Sequence, residues 1–139
     1  MSKHWLTEFW SFQSVKKIHN NVYLYPDSVV SLSKLINESE IMSNISSIIK
    51  NNVEKMNQYF VFQIKQKLGH NNVNEIANQI ELIYKETGLN CILLPIGYAQ
   101  GHEDDVILKK IFNKVRTRCY FAEFCNIYEI MYIIKNSKL

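Results

Sequence analysis

A chain of 139 residues, 47% hydrophobic and 21% charged, has the length of one compact domain and enough apolar material to fill its core, which excludes a disordered tail. Four glycines and two prolines exclude collagen-like and linker-type chains. A net charge of +3 spread over 16 basic and 13 acidic residues gives no argument for nucleic acid or an anionic membrane as partner.

In chain order, Trp5, Leu6, Phe9, Trp10 and Phe12 recur at helical spacing. Lys16, Lys17 and His19 follow at the end where cations suit the helix dipole, and this predicts an amphipathic helix from Trp5 to Ile18. Asn20-Asn21 breaks it, and Val22 to Tyr25 reads as a short strand stopped by Pro26-Asp27. Residues 28–57, rich in Ser and Asn, read as weak helices in a connecting region. From Tyr59 the pattern is regular. Tyr59 to Ile64 has the content of a buried strand, and residues 65–71 read as a loop. A helix of about four turns is then marked by Val73, Ile76, Ala77, Ile80 and Ile83, with Gly88 at a left-handed C-terminal cap. Cys91 to Ile96 is a second strand. Glu103, Asp104 and Asp105 open a helix whose inner face is expected to be Val106, Leu108, Ile111, Phe112 and Val115. Cys119 to Phe121 is a third strand, before a helix over Ile127 to Ile134.

Strand alternating with helix is the mark of a parallel sheet with crossovers, so the expected fold class is α/β, Rossmann-like, with flanking helices. The loop after the first of these strands lacks Gly-x-Gly-x-x-Gly, which argues against a dinucleotide cofactor. No apolar run approaches the roughly 20 residues that span a bilayer, and the first residues lack the signal-peptide pattern. A cytoplasmic location is therefore expected. Cys91, Cys119 and Cys125 are expected to be free, buried thiols, with neither disulfide nor metal site.

Open parallel sheets bind ligands beyond the carboxyl ends of their strands. The first such loop offers Gln63, Lys65, Lys67 and His70, a set able to hold an anionic group if the lysines are not simply solvated. The second, residues 97–105, has two glycines and sets His102 beside Glu103, Asp104 and Asp105. Those carboxylates either cap the following helix, the reading that spacing alone favours, or accept hydrogen bonds from sugar hydroxyls. They argue against phosphate at that point.

Several segments in order resemble the polysaccharide pyruvyl transferases, a family built from a glycosyltransferase-B-like pair of Rossmann-type domains. These are Val22 to Val29 with its Pro26-Asp27, Tyr59 to Lys65, Cys91 to Gly97 with Gly101 to Asp105, and Glu129 to Leu139. The resemblance implies transfer of a pyruvyl group from phosphoenolpyruvate to a hydroxyl of a glycan or lipid-linked sugar acceptor. It places Lys65 where the family has a basic residue suited to phosphoenolpyruvate, and Gln63, His102, Glu103 and Asp104 in the substrate cleft. Residues 1–27 would then end the N-terminal domain, 28–57 would form the crossover, and 58–139 the first half of the C-terminal domain. A Ser-x-His-Gly-like segment of the family has no counterpart here, so a piece inactive as a transferase on its own is expected, with an uncovered sheet edge as a route to self-association. Two other readings compete: a nucleotide-sugar glycosyltransferase of similar architecture, and a non-catalytic interaction module.

Overall fold

The structure is a computed structural model, and it describes residues 4–6, 16–17, 22–24, 36–69, 71–101 and 103–138. The chain divides into two compact units, Met1–Glu40 and Ile41–Leu139.

In the first unit, β1 (His4–Leu6) and β2 (Val22–Leu24) pair in parallel, with Trp5 opposite Tyr23. This corrects the helix expected from Trp5. Apolar spacing over so few residues does not separate helix from strand, and Trp5 and Leu6 sit in a ladder whose partner lies 18 positions on. Parallel pairing needs a connection of about a dozen residues or more, and residues 7–21 supply that length. Lys16 is helical, whereas Phe9, Trp10, Phe12 and His19 lie outside the described residues.

The second unit is an α/β body. The boundary between the units falls within α1 (Glu38–Asn44), after which come α2 (Ser47–Met56), β3 (Tyr59–Phe62), α3 (Gln66–Gly69), α4 (Val73–Thr87), β4 (Asn90–Leu93), α5 (Asp104–Phe112), β5 (Cys119–Phe121) and α6 (Ile127–Lys135). The short helix α3 occupies part of the segment expected as loop. The three strands form a parallel sheet in the order β3-β4-β5, with Cys91 registered between Phe60 and Cys119.

Strands that are apolar at nearly every position must be covered on both faces, and these are. Tyr59, Val61, Ile92, Leu94, Tyr120 and Ala122 serve one core, with Ile49, Val53 and Met56 of α2 and Ile133 of α6. Phe60, Phe62, Cys91, Leu93, Cys119 and Phe121 serve the other, with Ile80 of α4 and Ile107, Leu108 and Ile111 of α5. The buried face of α5 thus turns on Ile107. Val106 and Phe112, expected inside, are 40% and 37% exposed. Helix α2, from the segment expected to connect two domains, fills one of these cores through its 3.6-residue spacing.

Both crossovers, β3 to β4 and β4 to β5, run over the face of α4 and α5, as successive steps of one hand in one direction require. After β5 the chain changes face. Helix α6 packs with α2, and beyond it the backbone N–H of Lys138 donates to the carbonyl of Tyr59, 2.8 Å away, at the start of β3. Tyr59 also donates its hydroxyl to the carbonyl of Ile133 at 2.7 Å. Burial, with the neighbouring Tyr132, pushes its phenol up to about 12.

Caps set the helix ends. Ser46 accepts from the N–H of Ile49 at the start of α2, and Gly88 ends α4 at φ 73°, its N–H bonded to the carbonyl of Tyr84 at 2.8 Å. Only glycine adopts that conformation without strain. No atom lies within 4 Å of a Cβ built on Gly88, so Gly88→Ala is expected to cost about 1 kcal/mol through the backbone alone. Urea unfolding checks this, and Gly88→Asn should recover part of the loss.

Candidate functional site

The three strands run parallel, so the loops after β3, β4 and β5 lie at one end of the sheet, the end at which open parallel sheets receive ligands. Gln63 follows β3 directly. It is exposed, and its Nε2 donates to Asp104 Oδ2 at 2.8 Å. The amide NH2 thus faces Asp104, leaving Oε1 as the acceptor available elsewhere.

Asp104, the first residue of α5, is 4% exposed. Its Oδ2 also accepts from the N–H of Gly97 at 3.1 Å, while its own N–H donates to the carbonyl of Gly97 at 2.9 Å. This reciprocal pair closes residues 97–104 into a loop clasped at its base and ties it to the end of β3. Asp104 Oδ1 is buried with no hydrogen-bond partner among the described residues, an exception that a buried carboxylate seldom shows. Glu103 stands at the helix start yet makes no side-chain cap; its Oε2 instead accepts from the N–H of Gly101, a glycine at φ 82°. Glu103 and Asp104 therefore organise the loop by reaching backward, which corrects the expectation that they cap the helix by their side chains.

Tyr98, next to the clasp, stacks on Phe124 from the loop after β5, with ring centroids 4.9 Å apart and planes 18° from parallel. The N–H of Phe124 donates to the Tyr98 hydroxyl oxygen at 2.7 Å. Phe124 is 73% exposed and holds φ at 54°. A bulky residue in that left-handed region stores about 1 to 3 kcal/mol of strain. Burial lifts the Tyr98 phenol above its ordinary value. The Phe124 N–H works against this rise, and Cys125, Asp105 and Glu123 add to it. Ile96 in the loop after β4 and Ile127 at the start of α6 are also exposed, at 55% and 48%.

The structure thus brings Gln63 and Asp104 together and sets Glu103 beside them. Lys65 and Lys67 are exposed beyond the end of β3. His70 and His102 lie outside the described residues. Tyr98 and Phe124 were not singled out from the sequence. The one available signal was an aromatic residue, Phe124, placed two positions before the helix-capping Asn126 in a loop at the sheet's carboxyl end.

All three cysteines are free, and Cys91 alone is fully buried, Cys119 and Cys125 being half-buried. The hydrogen bond with Cys119, then burial, then the charge of Cys119 push the Cys91 thiol far up, so it does not act as a thiolate nucleophile. Among the described residues no group of three His, Cys, Asp or Glu side chains is placed to hold a metal ion, and no helix is long and apolar enough to cross a membrane. Comparison with protein-family models, with curated proteins and with solved structures gives no match.

Proposed function

We propose that this chain takes part in modifying a sugar by group transfer, specifically pyruvyl transfer from phosphoenolpyruvate to a sugar hydroxyl, with the carboxyl ends of β3 and β4 as the meeting place. The observation that carries the reading is the hydrogen bond from Gln63 to Asp104. It joins the loops after two adjacent parallel strands and presents Gln63 Oε1 as a fixed acceptor, which suits a hydroxyl donor. Glu103 adds a second acceptor in the same loop. Lys65, exposed two residues beyond Gln63, supplies the cation for the carboxylate or phosphate of the donor.

In the reaction proposed, two sugar hydroxyls add to the central carbon of phosphoenolpyruvate and lose their protons; one proton goes to the methylene, which becomes a methyl group, and the other leaves with the phosphate as its C–O bond to that carbon breaks. Asp104 is a positioning residue here, because both atoms its Oδ2 binds belong to the two loops. Phosphoenolpyruvate at ten times its Kd should stabilise the protein by about 1.4 kcal/mol, a rise in melting temperature of roughly 6 to 11 °C for a unit of this size, and Lys65→Ala should abolish that rise. A rise with a nucleotide sugar and none with phosphoenolpyruvate would overturn the reading in favour of a glycosyltransferase.

A further inference from the structure

We propose that Phe124, stacked on Tyr98, is the floor of a saccharide subsite that takes the apolar face of a pyranose ring, with Glu123, its neighbour in the chain, accepting a hydroxyl. Four observations converge on it. The Phe124 ring is 73% exposed yet fixed in orientation, stacked on Tyr98 and locked by the hydrogen bond from its own N–H to the Tyr98 hydroxyl. Its backbone is held in the left-handed region, and conformations of this kind in bulky residues collect at ligand-binding positions. The pair bridges the loops after β4 and β5 at the carboxyl end of the sheet. Tyr98 also adjoins Gly97, whose N–H is held by Asp104, so the platform and the acceptor of Gln63 belong to one framework.

The chemistry narrows the ligand. A flat aromatic surface favours a partner with a weakly positive face, which the axial hydrogens of a pyranose provide. Glu123 immediately precedes Phe124 in the loop after β5, a carboxylate side chain that accepts from hydroxyls and disfavours a phosphate laid upon the platform. A neutral sugar offers both the face and the donors. The subsite rests on the reading of this end of the sheet as sugar-modifying, but binding of a sugar alone does not depend on phosphoenolpyruvate.

The test is a titration of the whole chain, without phosphoenolpyruvate, followed by amide resonances in 1H–15N spectra. The probes are neutral methyl pyranosides of glucose, galactose, mannose and N-acetylglucosamine. At least one should shift the resonances of Tyr98, Glu123 and Phe124 together. Phe124→Ala should weaken that binding about tenfold, the loss expected on removing one stacked ring, and Phe124→Tyr should stay within about threefold. The largely exposed side chain makes loss of fold an improbable outcome, and the unshifted remainder of the spectrum verifies it. The proposal fails if no pyranoside moves these resonances, or if the alanine variant binds as the parent does. It also fails if tetramethylammonium shifts them where the sugars do not, or if they respond only to self-association at rising protein concentration.

Discussion

Glu129→Ala is expected to lower the unfolding free energy by about 3 kcal/mol, the loss of several hydrogen bonds to one buried charged acceptor. Glu129 is 6% exposed. Its Oε2 accepts from the N–H of Asn126 at 2.9 Å, while Asn126 Oδ1 accepts from the N–H of Glu129 at 3.0 Å, a reciprocal capping box at the start of α6. Its Oε1 accepts from the N–H of Ser46 at 3.1 Å, at the start of α2. One carboxylate therefore serves the first turns of two helices that are far apart in sequence, and Asn126 Nδ2 adds a bond to the carbonyl of Asn44 at 3.2 Å. Glutamine is expected to rescue little, since one of its two terminal atoms is a donor and would face an N–H.

The same residue predicts an acid limb. Burial opposes ionisation of Glu129, but the hydrogen bonds from the Ser46 hydroxyl and from the N–H groups of Asn126 and Ser46 outweigh it, and the carboxyl titrates below its ordinary value of 4.5. A folded-state value lower than the unfolded one means that protons bind the unfolded chain more readily. The stabilisation is complete above the unfolded value and is lost as pH falls through the folded one. Urea unfolding across the acid range should show the parent losing stability below pH about 4.5 with a steeper slope than Glu129→Gln. Equal slopes would remove Glu129 from the account.

Asp104→Ala is the second large effect. It deletes two hydrogen bonds accepted by Oδ2 and leaves the N–H of Gly97 without its acceptor. It also removes Oδ1, a buried oxygen without a partner, whose burial itself costs free energy. With bonds to charged groups at about 1.5 to 3 kcal/mol and the orphaned oxygen at about 1 to 3, a net loss of about 2 kcal/mol is expected. Gln63→Ala should cost under about 1 kcal/mol, because its amide is exposed and can hydrate. The contrast assigns the work to the clasp at Gly97. Hydrogen exchange at the Gly97 amide should quicken markedly in Asp104→Ala and only slightly in Gln63→Ala.

How far the sequence discloses this molecule follows from where its information is stored. The strands from Tyr59, from Cys91 and from Cys119 were legible because burial on both faces leaves continuous apolar runs. Gly88 was legible because its backbone requirement is local. The strand at His4–Leu6 was not, since its ladder with Val22–Leu24 is a remote pairing and three residues carry no period. The inner face of α5 was legible at Leu108 and Ile111, which are buried, whereas Val106 and Phe112 lie outward and Ile107 takes the place between. Gln63 and Asp104 could be named as polar residues at strand ends, but their hydrogen bond across 41 positions is a property of the folded sheet. Glu129 and Ser46, 83 positions apart, are further still from sequence logic. Phe124 is the plainest case: neither its exposure nor its left-handed backbone is written in a local pattern of the sequence.

Strand β4 has one further consequence, which concerns cooperativity. Ile92, with Leu94 just past the strand's end, belongs to one core, Cys91 and Leu93 to the other, and all four are at most 1% exposed. Neither helical layer can detach without exposing half of the same central strand, so the sheet couples the two layers into a single melting unit. A spectroscopic probe on α2 and one on α5 should therefore report one transition with one midpoint. A side chain trimmed on one face should lower the stability reported from the other by the same amount, as a domain whose cores share every strand must behave.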